Sequence, residues 1–169
     1  MAGWLRARPR PETAQHHVAV FDLKRRCSPY LTYYRYGDTR QRGMALLALK
    51  HAYRRCGLEH AGDELPDYLP AVLEFAALGP AEEGRRLLTD HRAGLELLRL
   101  ALHEEHSPYA AALDAVCAGL PAPSRAQAAE VRRLAADGPP GEQVGLNPIG
   151  TAPFAPPEFL TGPGTGARR

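Results

Sequence analysis

Residues 37–57 have the sequence GDTRQRGMALLALKHAYRRCG, and this stretch decides the fold. Its apolar residues, from Met44 to Cys56, recur at spacings of three and four, which is the period of an amphipathic α-helix. Asp38 precedes the run as a predicted N-cap, and Gly57 follows it as a C-terminal stop. The stretch therefore predicts a helix that begins after Asp38 and ends at Cys56.

Helical patterns also occupy most of the chain on either side of this stretch. Further helix starts are predicted at Pro11, Pro66, Pro80, Ser107 and Ser124. Residues 30–36 contain four tyrosines, a composition typical of strands, but the helical surroundings favour a helix. The sequence has no β-hairpin signal and no internal repeat. It predicts an all-α, single-domain bundle of about six helices.

Composition divides the 169 residues into three parts. Residues 1–11 are basic and interrupted by proline, and they are predicted to form a disordered arm. Residues 12–137 carry the helical patterns and form the predicted domain. Residues 138–169 contain seven glycines and seven prolines, so this C-terminal tail is predicted to be disordered.

The net charge of +2 conceals an asymmetry along the chain. Residues 1–60 hold twelve Lys or Arg against four Asp or Glu, whereas residues 61–137 hold seven against thirteen. A basic half attracts anions such as nucleic acid. Alternatively, the basic half packs beside the acidic half, and the two fields cancel.

Several classes of protein are excluded by what the sequence lacks. No apolar run approaches the ~20 residues of a membrane span, and residues 1–10 hold no apolar block of the signal-peptide type. Cys27, Cys56 and Cys117 form no Cys-x-x-Cys pair, which argues against a zinc ribbon or a redox motif. The sequence therefore predicts a cytoplasmic protein without membrane insertion.

The candidate catalytic and metal motifs are weak. His103 and His106 are three residues apart, one fewer than in the helical zinc motif His-Glu-x-x-His. The sequence has neither a phosphate-binding loop nor a nucleophile elbow. We therefore predict no catalytic residues, no bound metal and no stably bound cofactor.

Two motifs carry a resemblance to a known family. Residues 21–43, FDLKRRCSPYLTYYRYGDTRQRG, closely resemble the NarJ family, the assembly chaperones of respiratory nitrate reductase. Residues 64–75, ELPDYLPAVLEF, are similar to the second motif of that family. The resemblance extends over about residues 13–158 and implies the all-helical fold of the TorD and DmsD chaperones.

The resemblance implies a chaperone rather than an enzyme. Family members bind the N-terminal segment of the catalytic (alpha) subunit of nitrate reductase and assist molybdenum cofactor insertion and complex assembly. The client enzyme, not the chaperone, carries the cofactor. Physically, such binding is a helix-in-groove interaction. The alternatives are a basic helical nucleic-acid-binding or regulatory adaptor, and a truncated, non-functional copy.

The resemblance also implies a peptide-binding site. Asp67 matches the Asp of the family's Pro-Asp-His-Leu motif, which is linked with leader-peptide binding, and Tyr68 stands where the family usually has His. Tyrosine still packs and donates a hydrogen bond, but it does not become cationic. The first motif adds further predicted peptide-binding residues: Tyr33, Tyr34, Asp38, Arg40 and Arg42. The alternative that the tyrosines of this motif are core residues stays open.

Two further predictions concern the ends of the chain. Family members usually carry several helices ahead of the segment that begins at Phe21, so either the true start lies upstream or the chain is a shortened form. For a shortened form we predict exposed apolar surface and self-association or marginal stability. In the tail, scattered apolar residues are predicted to fold back into the groove. These residues are Leu146, Ile149, Phe154 and Phe159.

Overall fold

The computed structural model of the chain describes residues 1–60 and 62–140. These residues contain nine α-helices and no strand, so the all-α prediction is confirmed, although the expected number of helices was too low. The helices are α1 (Ala2–Arg6), α2 (Arg10–His17), α3 (Leu31–Tyr36), α4 (Arg40–Arg55), α5 (Leu69–Leu78), α6 (Ala81–Asp90), α7 (Arg92–Glu104), α8 (Ala110–Ala118) and α9 (Arg125–Asp137). A π-helical turn, Val18–Asp22, and a 3-10 turn, Arg25–Cys27, connect α2 to α3. The predicted fold-back of the tail concerns residues that lie outside the described ranges.

The prediction of a disordered arm over residues 1–11 is corrected by helix α1 and the start of α2. Trp4 explains the order, because its ring lies 4.8 Å from the His16 ring and the Arg8 guanidinium lies 4.5 Å above it. Pro11 occupies the first turn of α2, where its missing N–H costs nothing. A tertiary aromatic contact, invisible to composition, therefore orders the N-terminal residues.

An aromatic cluster packs these N-terminal helices on the start of α8. The His16 ring stacks on Tyr109 at 5.9 Å, and Phe21 meets the same ring edge-on at 5.0 Å. Nε2 of His16 also lies 3.3 Å from Oγ of Ser107. His16 therefore connects α1 and α2 to the body of the protein.

His16 gives this contact a pH dependence. Burial above all, and then the charges of Arg8, His17 and Lys24, lower the pKa of His16 from its ordinary value. The folded state then binds fewer protons than the unfolded state, so stability falls as the pH drops below about 6.5. We expect the fluorescence of Trp4, the single tryptophan of the chain, to change over this range. The variant His16→Phe should abolish the change, and a pH-independent signal from the wild-type chain would contradict the assignment.

Helix α7 is the centre of the core. Leu95, Leu98 and Leu102 are fully buried on one stripe of this helix, which packs against α3, α8 and α9. Gly94 allows α3 to approach closely, because an added Cβ atom would lie 3.1 Å from Cδ2 of Tyr34. The fully buried stripe of α7 thus holds α3, which carries much of the first motif, in a fixed position.

A second close contact, at Gly84, brings α5 and α6 together. A Cβ atom at Gly84 would lie 2.6 Å from Cα of Ala76, whereas one at Gly43, on the exposed side of α4, would meet open space. We expect Gly84→Ala to lower the free energy of unfolding by about 1–3 kcal/mol through overpacking. Gly43→Ala should raise it by about 0.5–1 kcal/mol, because alanine favours helix. Denaturant unfolding followed by circular dichroism measures both, and effects of the same sign would contradict the packing argument.

The outer face of α4 is both apolar and cationic. Met44 is 69% exposed and Leu47 51% exposed, and the helix contains five Lys or Arg residues and no Asp or Glu. A symmetric contact between two copies through this face would bring like charges together, so screening by salt would favour it. Self-association stays a prediction. Within residues 1–60 and 62–140, no helix combines the length and the apolar character that crossing a bilayer requires.

Candidate functional site

The two sequence motifs meet at an antiparallel backbone bridge between Tyr30 and Tyr68. In this bridge the Leu31 amide donates a hydrogen bond of 3.0 Å to the carbonyl of Asp67. The bridged segments lead directly into α3 and α5, so the bridge sets the relative position of these two helices. We call this meeting point the motif junction.

Asp67 is the buried centre of the motif junction. Its side chain has no solvent exposure, and its Oδ2 accepts hydrogen bonds from the backbone N–H of Thr32 at 3.1 Å and from the Thr32 hydroxyl at 2.5 Å. Thr32 lies in the first turn of α3, so Asp67 supplies a cap for that helix from 35 residues away. Asp67 stands two residues before the start of α5, yet its carboxylate caps α3.

Arg42 joins the carboxylate to the aromatic residues of the motif junction. Its guanidinium lies 3.6 Å from Oδ2 of Asp67 and 3.5 Å from Oδ1 of Asp38. The same group lies 5.6 Å from the ring centroid of Tyr30 and 5.8 Å from that of Tyr33, within cation–π range. Because the Arg42 side chain is only 17% exposed, these contacts are partly shielded from water.

Asp38 does not cap α4 as the sequence predicted. The N-cap is Thr39, which has extended backbone, and its hydroxyl donates to the carbonyl of Tyr36 at 2.7 Å. The carboxylate of Asp38 pairs with Arg42 one turn further on. Asp38 therefore positions the arginine rather than the helix end.

The motif junction gathers most of the predicted peptide-binding residues. Those that meet around Arg42 and the Tyr30–Tyr68 pair are Tyr33, Asp38, Arg42, Asp67 and Tyr68. Tyr34 is 4% exposed, and its hydroxyl donates to the carbonyls of Arg26 and Ser28 at 3.1 and 2.9 Å, so the core alternative replaces the peptide-contact prediction. Arg40 is the exposed first residue of α4.

The sequence-based set omits three residues that complete the motif junction, Tyr30, Thr32 and Glu64. The Tyr30 ring lies 5.5 Å from the Tyr68 ring, and its hydroxyl donates to Oε2 of Glu64 at 2.9 Å. Burial, followed by the bond to Glu64, raises the pKa of Tyr30 to about 12. All three residues lie within the two motifs, so their position in these motifs was the sequence signal that could have identified them.

The tyrosine hydroxyls of this region are donors at neutral pH. Burial raises the pKa of Tyr68, and it raises that of Tyr53 to about 12, with the charge of Asp67 adding to the effect. The Tyr53 hydroxyl donates to the carbonyl of Pro66 at 2.6 Å, directly before Asp67. Tyr30 and Tyr53 therefore use their hydroxyls within the protein, and the half-buried Tyr68 ring offers an apolar face beside them.

An open cavity of about 490 Å³ lies beside Tyr68, and we call it the α5 groove. Its apolar lining comes from α5, from the end of α4 and from the segment that connects these two helices. The main apolar residues are Tyr53, Leu58, Tyr68, Phe75 and Leu78, with Glu59, Glu64 and Glu74 among them. A second cavity, of about 350 Å³, lies beside Tyr30 and is lined by Tyr33, Arg25 and Arg42, among others.

The histidine pair at the end of α7 lies in a charged segment. Nε2 of His103 lies 2.9 Å from Oδ1 of Asp114, and Glu105 pairs with Lys24. In the part of the chain that the structure describes, no three His, Cys, Asp or Glu side chains are grouped to hold a metal ion.

The fold and the motif junction define a class of all-helical proteins in which two motifs, one around α3 and one at the start of α5, build an aromatic and charged surface beside an open groove. The chain belongs to the nitrate reductase delta subunit family, whose model matches residues 1–115. The resemblance to the NarJ family is thereby confirmed.

Individual relatives agree with this assignment. The chain is 46% identical over 104 residues to the nitrate reductase-like protein NarX of Mycobacterium tuberculosis, which is 62% of this chain and 16% of that protein. It is 37% identical over 106 residues to the probable nitrate reductase molybdenum cofactor assembly chaperone NarJ of Bacillus subtilis, or 63% of this chain and 58% of the relative. The corresponding Escherichia coli chaperone NarJ is 37% identical over 95 residues, 56% of this chain and 40% of the relative. The chain thus spans less than two thirds of each relative.

Proposed function

We propose that this chain is a chaperone that binds the N-terminal segment of the respiratory nitrate reductase catalytic subunit and assists molybdenum cofactor insertion and assembly. The observation that carries the proposal is the motif junction, where both family motifs meet beside the open α5 groove. Relatives named as assembly chaperones of this enzyme supply the client.

The geometry suits a helix-in-groove interaction. Apolar side chains of an amphipathic segment would pack on Tyr68 and Leu78, and the polar face would remain in water. The cap from Asp67 to Thr32 and the Arg42 contacts hold the surface rigid before the ligand arrives. A preformed surface loses less conformational entropy on binding than a flexible one.

We assign the chain a binding role and not a catalytic one. The client enzyme carries the molybdenum cofactor. Burial raises the pKa of the Cys27 and Cys117 thiols, which makes them poor nucleophiles. Free thiols suit a reducing compartment, so we place this activity in the cytoplasm.

The ion pairs weigh against the nucleic-acid alternative. Lys24 and Arg26 of the basic half pair with Glu105 and Glu104 at the end of α7. Arg42 is likewise close to a carboxylate of the acidic half, that of Asp67. These contacts support the interpretation that the two halves pack together and that their fields partly cancel.

Titration calorimetry tests the proposal. The ligand is a synthetic peptide of the first ~18 residues of the nitrate reductase catalytic subunit from the same organism, about five helical turns. We expect sequence-dependent binding on the order of micromolar or tighter, and no binding of a scrambled peptide. Tyr68→Ala should weaken binding about ten-fold, because Tyr68 lines the α5 groove. Tyr36 lines a different cavity, so Tyr36→Ala should leave the affinity unchanged.

Circular dichroism must first establish that each sample is folded. If the folded wild-type chain did not bind the peptide, the proposal would be wrong, and the alternative of a truncated, non-functional copy would be favoured. Binding of a duplex oligonucleotide that weakens steeply with salt would instead favour the nucleic-acid alternative.

A further inference from the structure

The α5 groove has an apolar floor and a carboxylate edge. Tyr53 and Phe75 of the floor are 3% and 5% exposed, and Leu78 at one end is 70% exposed. Glu59 and Glu74 lie in exposed positions around this floor. Among the described residues that line the groove there is no lysine or arginine.

The groove follows one face of α5. Pro70, Glu74 and Leu78 line it at spacings of four residues, so they form a single row along the helix. The opposite side of α5 packs closely on α6 through Ala76 and Gly84. A helix of ten residues, the length of α5, is about 15 Å long, so the groove accommodates about three turns of a bound helix.

The existing neighbours leave the edge carboxylates available. Glu59 is 80% exposed, and its contact with Arg54 is at 4.0 Å, the outer limit of an ion pair. Such exposed pairs contribute little. His60 at the same edge already uses its Nε2 on the carbonyl of Glu64, at 2.6 Å. The groove therefore presents negative charge around apolar surface.

The smaller cavity on the other side of the Tyr30–Tyr68 pair is mixed in charge. Arg25 and Arg42 line it together with Asp22, and Arg42 already lies close to Asp38 and Asp67. The excess of carboxylate therefore belongs to the α5 groove, and charge complementarity there sets the kind of segment that binds.

We propose that the α5 groove selects a cationic amphipathic segment, whose lysine or arginine side chains face Glu59 and Glu74 while its apolar side chains contact the floor. This inference rests on the proposed function and adds the charge class of the bound segment.

Two designed peptides of about 18 residues test the charge selection, with one apolar pattern and either lysine or glutamate on the polar face. We expect the lysine peptide to bind at least ten-fold more tightly to the wild-type chain, and added salt to reduce the difference. The double variant Glu59→Gln/Glu74→Gln should lose about five-fold in affinity for the lysine peptide. Glu82→Gln, an exposed position at the start of α6, should lose none.

The two proposals fail differently. Equal binding of both peptides, or an unchanged double variant that still binds the natural leader peptide, would overturn charge selection and leave the proposed function intact. A folded chain that binds neither the leader nor the lysine peptide would overturn both.

Discussion

Asp67→Ala is expected to lower the free energy of unfolding by about 3 kcal/mol, because it leaves buried polar groups without a partner. The Thr32 amide and hydroxyl would lose their shared acceptor, and Arg42 would lose a nearby carboxylate in a site that water barely reaches. A typical domain is stable by only about 5–15 kcal/mol, so this is a large fraction of the total. Denaturant unfolding followed by circular dichroism measures the loss.

The same substitution should also weaken binding of the leader peptide. Without its cap, α3 loses the position that holds Tyr30 and Tyr33 around Arg42. We expect calorimetry on the folded fraction to show a loss of at least about ten-fold, equivalent to about 1.4 kcal/mol. This loss would come through positioning, since Asp67 is fully buried and unable to touch a ligand.

Two control variants separate the hydrogen bonds that the Asp67 carboxylate accepts from the effect of its negative charge. Asp67→Asn keeps one oxygen that accepts from Thr32 and removes the charge opposite Arg42, so about half of the stability loss is expected. Asp63→Ala removes an exposed carboxylate from the same segment and should change stability by less than about 0.5 kcal/mol. If Asp67→Ala were as mild as Asp63→Ala, the capping role would be wrong.

Arg92→Ala is expected to cost about 3 kcal/mol, because it removes two charge-assisted hydrogen bonds and a buried side chain. Arg92 is 5% exposed at the start of α7, and its guanidinium donates to the carbonyl of Cys117 at 2.8 Å and to Glu96 at 2.6 Å. The first bond ties α7 to the last turn of α8, where a cation also complements the helix dipole. Thermal and denaturant unfolding both report the change.

The geometry of the Arg92 guanidinium contributes more to this stability than its charge does. Arg92→Lys keeps the charge but cannot reach both acceptors with the same planar fork, so less than half of the lost stability should return. Arg85→Ala, at an exposed position on α6, should stay within about 0.5 kcal/mol of the wild type. A lysine variant as stable as the wild type would contradict the geometric argument.

Local patterns predicted the longer helices well. The helix predicted from Asp38 to Cys56 is α4, Arg40–Arg55, and the start predicted at Ser124 is a capping box in which Ser124 and Gln127 exchange hydrogen bonds. These features depend on residues three or four positions apart, which a sequence displays directly. The short helices α1 and α3 have too few residues for a period, and contacts from distant residues stabilise them.

The candidate site was predicted as a set of residues but not as an arrangement. Tyr33 and Tyr34 are adjacent and chemically identical, yet Tyr33 contacts Arg42 whereas Tyr34 is buried against Gly94 of α7. Which of the two faces the core depends on the rotation of α3 against α7. That rotation is set by packing between residues about 60 positions apart, and no local pattern encodes it.

The sequence by itself determined the all-α class, the family and the two motifs, because helical period and motif identity are properties of neighbouring residues. Only the tertiary structure decided that Asp67 caps α3 and that Tyr34 belongs to the core. The physical reason is that a buried carboxylate requires donors wherever the fold provides them. Here the fold provides them 35 residues away, at Thr32.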